Sequence, residues 1–350
     1  MASPSPSPTS ISAARTSSCR DINGESDPSW TSRCSDGLPL HKRGQTMTGS
    51  EVMQQTVNGV VDGSTFALLG ASYSLITSVT KRFHVAYVAT YLGAVYAAIW
   101  SEDHLPLPHI GDIAFGLVVA ALMGVLIEAY IYRRIAARAA RRGGDPLIPV
   151  FIASLGLTIV AQNVVSWVWN TQPLSFNLIT NKGYSLGDVR YTKLQVLAVL
   201  LYWLILLALW AFLKWTKQGS RVTGVQVNPQ MAQVVGINTK RIFILVFAIG
   251  SVLAGLLGMF ESSTVAAQPS MGFNAMFYGF VVAFVAGMER GPLRIAVVGL
   301  IVGLIQSLSA LWLPLQYAPA VVFSILLVYL ILLPTDFRRY FTRRTTATIT

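Results

Sequence analysis

From residue 57 onward the chain alternates between long apolar runs and short polar breaks. A helix needs about 20 largely apolar residues to cross the hydrocarbon of a bilayer. Nine runs are of about that length: 57–79, 83–100, 113–131, 147–169, 194–213, 242–260, 273–288, 295–313 and 317–333. None shows the strict two-residue alternation of a half-buried strand. The pattern predicts an all-α polytopic membrane protein with about 8–10 transmembrane helices. Residues 1–46 follow another pattern, with 11 Ser, 4 Thr and 5 Pro and no apolar run. Such a stretch buries too little apolar area to offset the entropy of ordering, so a disordered tail is expected, and it lacks the apolar core of a secretory signal. The expected organisation is a tail over 1–46, with Met47 as the expected true start, a transmembrane domain over 47–337 and a basic tail over 338–350.

Composition narrows the class. Charged residues make up 12% of the chain, 26 Lys+Arg against 15 Asp+Glu, whereas soluble domains carry about 25%. That excludes a soluble enzyme of this size. The net charge of +11 does not read as a nucleic-acid footprint, because the basic residues lie between apolar runs rather than on one polar face. They read as topology instead, since Lys and Arg accumulate in cytoplasmic loops. Segments 133–142 and 214–241 carry five basic residues each and no acid, and the tail beyond 333 carries four Arg against Asp336. All three are expected in the cytoplasm, with the C-terminus. The loop 101–112, with Glu102, Asp103 and Asp112, is expected outside. The loop 170–193 is assigned outside by alternation although it carries Lys182, Arg190 and Lys193. Counting back places Lys81 and Arg82 inside and the start of the first span outside, which suits a start at Met47.

No catalytic constellation is visible. The chain has no Walker A sequence, no cofactor motif and no metal-ligand spacing among its four His, and Cys19 and Cys34 both lie in the tail. Ionisable residues within membrane spans are functional candidates by default, and three stand out. Asp62 is near the outer end of the first span, either on a transport path or at the interface. Glu128 ends the third span, four residues before Tyr132 on the same helix face, with Arg133 or Arg134 to neutralise it. Glu261 is expected in a solvated outer loop. Small residues at four-residue spacing, Gly59/Gly63, Gly299/Gly303 and Ala254/Gly258, suit close helix packing in lipid. In segment 214–241, Asn228-Pro229 marks a helix start, Met231, Val234 and Val235 form a short apolar face, and Gly236 supplies a stop. A brief helix outside the bilayer, followed by Lys240 and Arg241, has the shape of a docking element or of an interfacial linker.

At this point the chain resembles the permease subunits of ABC importers for branched-chain amino acids. Ala232, Gly236, Ile237 and Asn238 match that family's Ala-x-x-x-Gly-Ile-Asn coupling helix. Asn58, Gly59, Gly63, Ser64, Ala67 and Leu68 resemble its opening motif, and Glu128, Tyr132 and Arg133 its E-x-x-x-Y-R. Gly156, Gln162 and Asn163 resemble its G-x₅-Q-N, and Pro334-Thr335 the start of its closing P-T-G. Arg82-Phe83-His84-Val85-Ala86 stands where the family usually has N-F-A-H-G. The resemblance implies a bacterial inner-membrane protein, itself not an enzyme, that provides the translocation pathway. It implies as partners a second permease subunit or second copy, two cytoplasmic ABC ATPase subunits and an extracytoplasmic solute-binding protein. It assigns Ala232, Gly236, Ile237, Asn238, Lys240 and Arg241 to the ATPase contact, and Glu128, Tyr132 and Arg133 to a cytoplasmic anchor. Asn58, Gly59, Asp62, Gly63, Ser64, Gly156, Gln162 and Asn163 go to the pathway and helix packing. Import of urea, amides or sugars by the same family, and a self-sufficient secondary transporter or channel, are the alternatives.

Overall fold

A computed structural model describes residues 49–106, 108–170, 172–176, 183–186, 189–289 and 291–332. The expected tail over 1–46 and the basic tail over 338–350, with Pro334-Thr335, lie outside the described residues. Twelve α-helices follow in order: α1 Gly49–Thr80, α2 Tyr87–His104, α3 His109–Leu126, α4 Arg133–Arg141, α5 Leu147–Trp169, α6 Lys193–Trp215, α7 Lys217–Val227, α8 Pro229–Val234, α9 Thr239–Val265, α10 Met271–Ala286, α11 Pro292–Ser309 and α12 Ala318–Leu332. A π-helical turn, Ile127–Tyr132, joins α3 to α4. Each of the nine apolar runs is found as a helix. Six are long and apolar enough to cross a membrane: α1, α3 with its extension to Arg141, α5, α6, α9 and α11. The helices within α10 and α12 are apolar but shorter. The second run begins later than its sequence pattern predicts. Residues Phe83–Ala86 form the approach to α2 rather than its first turn, and α2 runs on to His104.

Burial explains why α2 tolerates polar groups. It packs against α3, α5, α9 and α10, and Tyr87, Tyr91 and Tyr96 are all buried. The hydroxyls of Tyr87 and Ser72 share a hydrogen bond of 2.9 Å. A central helix shielded by others has no lipid to face, so it can hold aromatic hydroxyls where a peripheral one holds leucine. By contrast, α5 and α6 expose Ile152, Ile159, Trp167, Leu200 and Leu204, as helices at a lipid or subunit boundary do.

The packing of α1 on α11 follows from the glycine spacing. A Cβ on Gly303 would overlap the backbone of Gly63, and one on Gly63 would lie 2.9 Å from the Leu300 Cα. Gly59 meets Leu304 in the same seam, where a Cβ would lie 3.0 Å from its Cα. Two of the three stripes singled out in the sequence therefore pack on each other. Gly156 behaves differently from the packing role assigned to it: it faces outward on α5 and an added Cβ meets nothing within 4 Å.

Contacts sort the connections into two ends. At one, Lys81 pairs with Glu289, Arg82 with Glu128, and Arg133 reaches the Lys240 carbonyl. At the other, Ser101 donates to Asp112 at 2.6 Å, Leu174 and Ala267 form an isolated antiparallel bridge, and Gln54 holds Arg190. The basic segments 133–142 and 214–241 thus share one end, and the loop 101–112 lies at the other. A short antiparallel hairpin, Gly183–Leu186 with Val189–Thr192, is a feature that apolar periodicity did not announce.

Replacing Gly303 with Val is expected to destabilise the fold by about 1–3 kcal/mol through overpacking, whereas Gly156→Val is expected to change little. Thermal unfolding of the two purified variants in detergent separates these outcomes.

Candidate functional site

The basic end carries the most structured surface. Lys217–Val227 (α7) closes with Asn228, whose side chain accepts from the backbone N–H of Gln230 at 3.0 Å and of Met231 at 3.1 Å. Asn is a favoured N-cap, and Pro229 at the next position has its φ already set for a helix. Helix α8 is then only six residues long. Gly236 ends the turn at φ +89°, a conformation that side chains with a Cβ rarely adopt. Asn238 caps α9 by accepting from the Arg241 N–H, and the Gln233 amide donates to Thr239 at 3.1 Å. Ala232 is buried against the domain and Ile237 half-buried, while Met231, Val234 and Val235 are exposed by 59%, 80% and 77%. The sequence anticipated the cap, the stop and the apolar face. It grouped Ala232 with the contact residues, but that side chain seats the helix rather than facing outward.

Beneath this surface lies a buried polar knot. Glu128, only 2% exposed, stands 3.7 Å from the Arg82 guanidinium. Of the expected partners, Arg133 adds its charge beside Glu128 while donating to the Lys240 carbonyl at 3.4 Å, and Arg134 lies over the Tyr130 ring. The π-helical turn bonds the Arg133 N–H to the Glu128 carbonyl, one residue further along than an α-helix would. Tyr132 closes the turn, and its hydroxyl shares a 2.9 Å hydrogen bond with His84 Nδ1. Phe247 of α9 packs edge-on against both rings, and Arg82 lies 5.8 Å over the Phe243 ring. Thr158 of α5 donates to the Val85 carbonyl at 2.9 Å. The approach 81–86 is therefore held by α5, α9 and the π turn. Arg82 and His84 were not singled out as site residues; the signal for them was the departure of Arg82-Phe83-His84 from the resembled pattern.

A second polar group sits nearer the other end, between α1, α2, α6 and α9. Ser64 donates to the Val60 carbonyl at 2.7 Å and accepts from the Trp203 indole N–H at 3.1 Å. Asp62 is exposed on α1. Glu261 corrects an expectation. It lies within α9 rather than in a solvated loop, and its carboxylate accepts from the Tyr91 hydroxyl. The helix continues past it to Val265, and Ser262 and Ser263 satisfy their hydroxyls on the Met259 carbonyl. Asn58 and Gly59 lie one turn above Asp62 and Gly63. Gln162 is half-buried, accepting from Ser166 through its backbone. Asn163 is exposed and bonded to its own helix at Ile159, so it does not join the group around Ser64. Among the described residues no three His, Cys, Asp or Glu side chains gather as metal ligands.

Comparison with known proteins gives this arrangement a family. Residues 55–333 match the model of the branched-chain amino acid transport system permease component. The high-affinity branched-chain amino acid transport system permease protein LivH of Salmonella typhimurium LT2 is 28% identical over 296 residues, covering 81% of this chain and 94% of that protein. LivH of Escherichia coli K12 shows the same identity and coverage. BraD of Pseudomonas aeruginosa PAO1 is 27% identical over 300 residues, covering 81% and 94%. A solved structure, PsaBC from Streptococcus pneumoniae in complex with Fab, aligns over 90% of this chain and 99% of that one at 14% identity and a TM-score of 0.47, too distant to carry an argument. With a match running from the first turns of α1 to the end of α12, the chain belongs to the family of branched-chain amino acid transport permease components.

Proposed function

We propose that this chain is the membrane-embedded half of an ATP-driven importer for branched-chain amino acids. It works with a second permease subunit or a second copy of itself, two cytoplasmic ATPases and an extracytoplasmic solute-binding protein. It lies in the bacterial inner membrane with its C-terminus and basic segments in the cytoplasm. The observation that carries the reading is the exposed apolar face of α8. Met231, Val234 and Val235 project at the basic end of the domain, braced by two Asn caps and a left-handed glycine. Three apolar side chains displayed on a capped, rigid turn suit burial by a partner.

The knot beneath supports the same reading. Force applied to α8 reaches α9 through Gln233 and Thr239, and the π turn through Lys240 and Arg133. From there Glu128 and Tyr132 engage Arg82 and His84, next to the end of α1 and the start of α2. Residues at both ends of the coupling segment are thus joined to two of the helices that make up the core. Asp62 and Ser64 lie along the pathway in this reading, and Asn58, Gly59 and Gly63 with them. A self-sufficient secondary transporter would place ion-coupling groups at broken helices near the bilayer middle. Glu261, the buried acid closest to that description, sits instead within an unbroken α9.

Reconstitution tests the proposal. Proteoliposomes holding the permease, its partner permease and the ATPases should take up leucine only when ATP and the solute-binding protein are both present. Uptake driven by an ion gradient in liposomes holding this chain alone would overturn it.

Two substitutions probe the lever. Gly236→Val is expected to lower uptake per ATP hydrolysed roughly tenfold, the effect of about 1.4 kcal/mol, with the amount of protein in the membrane unchanged. Parallel uptake and phosphate-release assays provide the ratio. Arg82→Ala takes from the buried Glu128 carboxylate its paired cation at 3.7 Å and should cost about 3–5 kcal/mol. Adding Glu128→Gln should return most of that loss, which thermal unfolding of the single and double variants measures.

A further inference from the structure

The loop 170–193 breaks the charge rule that orders the rest of the chain. It carries Lys182, Arg190 and Lys193 with Asp188; Lys182 and Asp188 lie outside the described residues, and Arg190 and Lys193 stand at the end opposite α8. Helix α6 connects the two ends, and its 23 residues extend about 35 Å at 1.5 Å per residue. Basic residues on the outer side have no topological use. Their placement is nevertheless specific.

The hairpin that carries them is held like a built part. Tyr184 pairs with Tyr191 across the two strands, and the rings stack with centroids 6.2 Å apart. Gln54 of α1 treats Arg190 as a neighbouring strand would: its Oε1 accepts from the Arg190 N–H at 2.7 Å and its Nε2 donates to the Arg190 carbonyl at 3.0 Å. The same amide also donates to Asn58 at 3.1 Å, fixing its own orientation. Thr192 and Gln195 then form a reciprocal capping box that welds the second strand to α6. Lys193 lies 5.2 Å over the Tyr184 ring. A two-stranded hairpin is marginal in water on its own, so these tethers are what keep it in place.

Between hairpin, α1 and α6 lies a cleft of about 510 Å³ lined by Gln54, Asn58, Tyr184, Arg190, Tyr191, Thr192 and Gln195. Among the described residues the lining contains one cation, two aromatic rings and several amide or hydroxyl groups, and no acid. Lys193 adds a second positive charge at its rim; Glu51, three residues before Gln54, is the nearest acid along α1. Arg190 and Tyr184 are exposed. A guanidinium beside rings and amides suits carboxylates, which it binds in two-pronged fashion. The cleft is open on its outer side and formed by a projecting hairpin. That shape suits a side chain presented by another protein better than a free solute, which needs enclosure.

We infer that this hairpin cleft is the dock for an acidic patch on the solute-binding protein, with Arg190 and Lys193 as its charge contacts and Gln54 as the residue that positions them. The inference rests on the importer reading above and deepens it by assigning the outer contact. Steering by opposite charges raises association rates and makes them salt-dependent, which fits a receptor that must find the permease repeatedly.

The test uses the full complex in nanodiscs and the solute-binding protein that supports leucine uptake in the reconstituted system. In R190E/K193E the receptor's Kd is expected to rise about tenfold or more, with a flatter dependence on salt. ATP hydrolysis without receptor should be unchanged. R190K should retain most of the affinity, and Gln54→Ala should weaken binding while keeping the salt dependence. An unchanged Kd and salt dependence in R190E/K193E would overturn the dock. So would a loss confined to binding of free leucine by the complex without receptor, which would make the cleft a solute site. Loss of the ATPases from the purified wild-type complex would instead sink the importer reading; their retention with an unchanged receptor Kd would sink the dock alone.

Discussion

Helices in lipid are not drawn together by the hydrophobic effect, because hydrocarbon solvates leucine as well as leucine does. They associate where backbones can come close enough for dispersion and weak polar contacts to accumulate. In this protein that condition is met along the α1/α11 seam, where Gly59, Gly63 and Gly303 remove the side chains that would hold the helices apart. The seam fixes α1, and α1 carries the features that matter at both ends. Gln54 near its start tethers the hairpin 183–192. Lys81 and Arg82, just beyond its end, enter the ion pairs with Glu289 and Glu128.

The two ends differ in how they use charge. At the basic end a carboxylate and a guanidinium are buried together, an arrangement that contributes little net stability but is costly to break on one side. Such a pair specifies an arrangement more than it strengthens one. It holds the approach to α2 against the π turn, directly behind the segment whose apolar residues project outward. At the other end, charges are exposed on a small hairpin and positioned by amide hydrogen bonds. Exposed cations of this kind contribute little to the stability of the fold.

Much of the frame was legible in sequence, because its cause is local. Residues 147–169 form a helix with the bounds that hydropathy set, since nothing but apolar length decides a peripheral span. The α8 turn was legible too: Asn228-Pro229 and Gly236 each impose a backbone geometry by themselves. The meeting of the two glycine stripes followed from spacing, although which stripe met which did not. What escaped depends on distant residues. Arg82 and Glu128 are 46 positions apart, and their pairing depends on how the approach to α2 packs against the π turn. Glu261 looked like a loop residue because polar Ser262, Ser263 and Thr264 follow it, yet these lie within α9 with their hydroxyls bonded back to its carbonyls. The hairpin escaped because its four-residue strands are stabilised by Gln54, far away in sequence. Gly156 carried a motif match that the fold does not use for packing.

The account stands on Met231, Val234 and Val235 forming the surface a separate motor grips. The most direct measurement is cross-linking from a single cysteine at position 234, with Cys19 and Cys34 replaced, in the active complex. The expected result is a covalent adduct with a nucleotide-hydrolysing subunit, formed from the cytoplasmic side and altered in yield when ATP is bound. Labelling of that cysteine by an impermeant reagent outside intact cells, or an active complex in which it reaches no such subunit, would contradict the account.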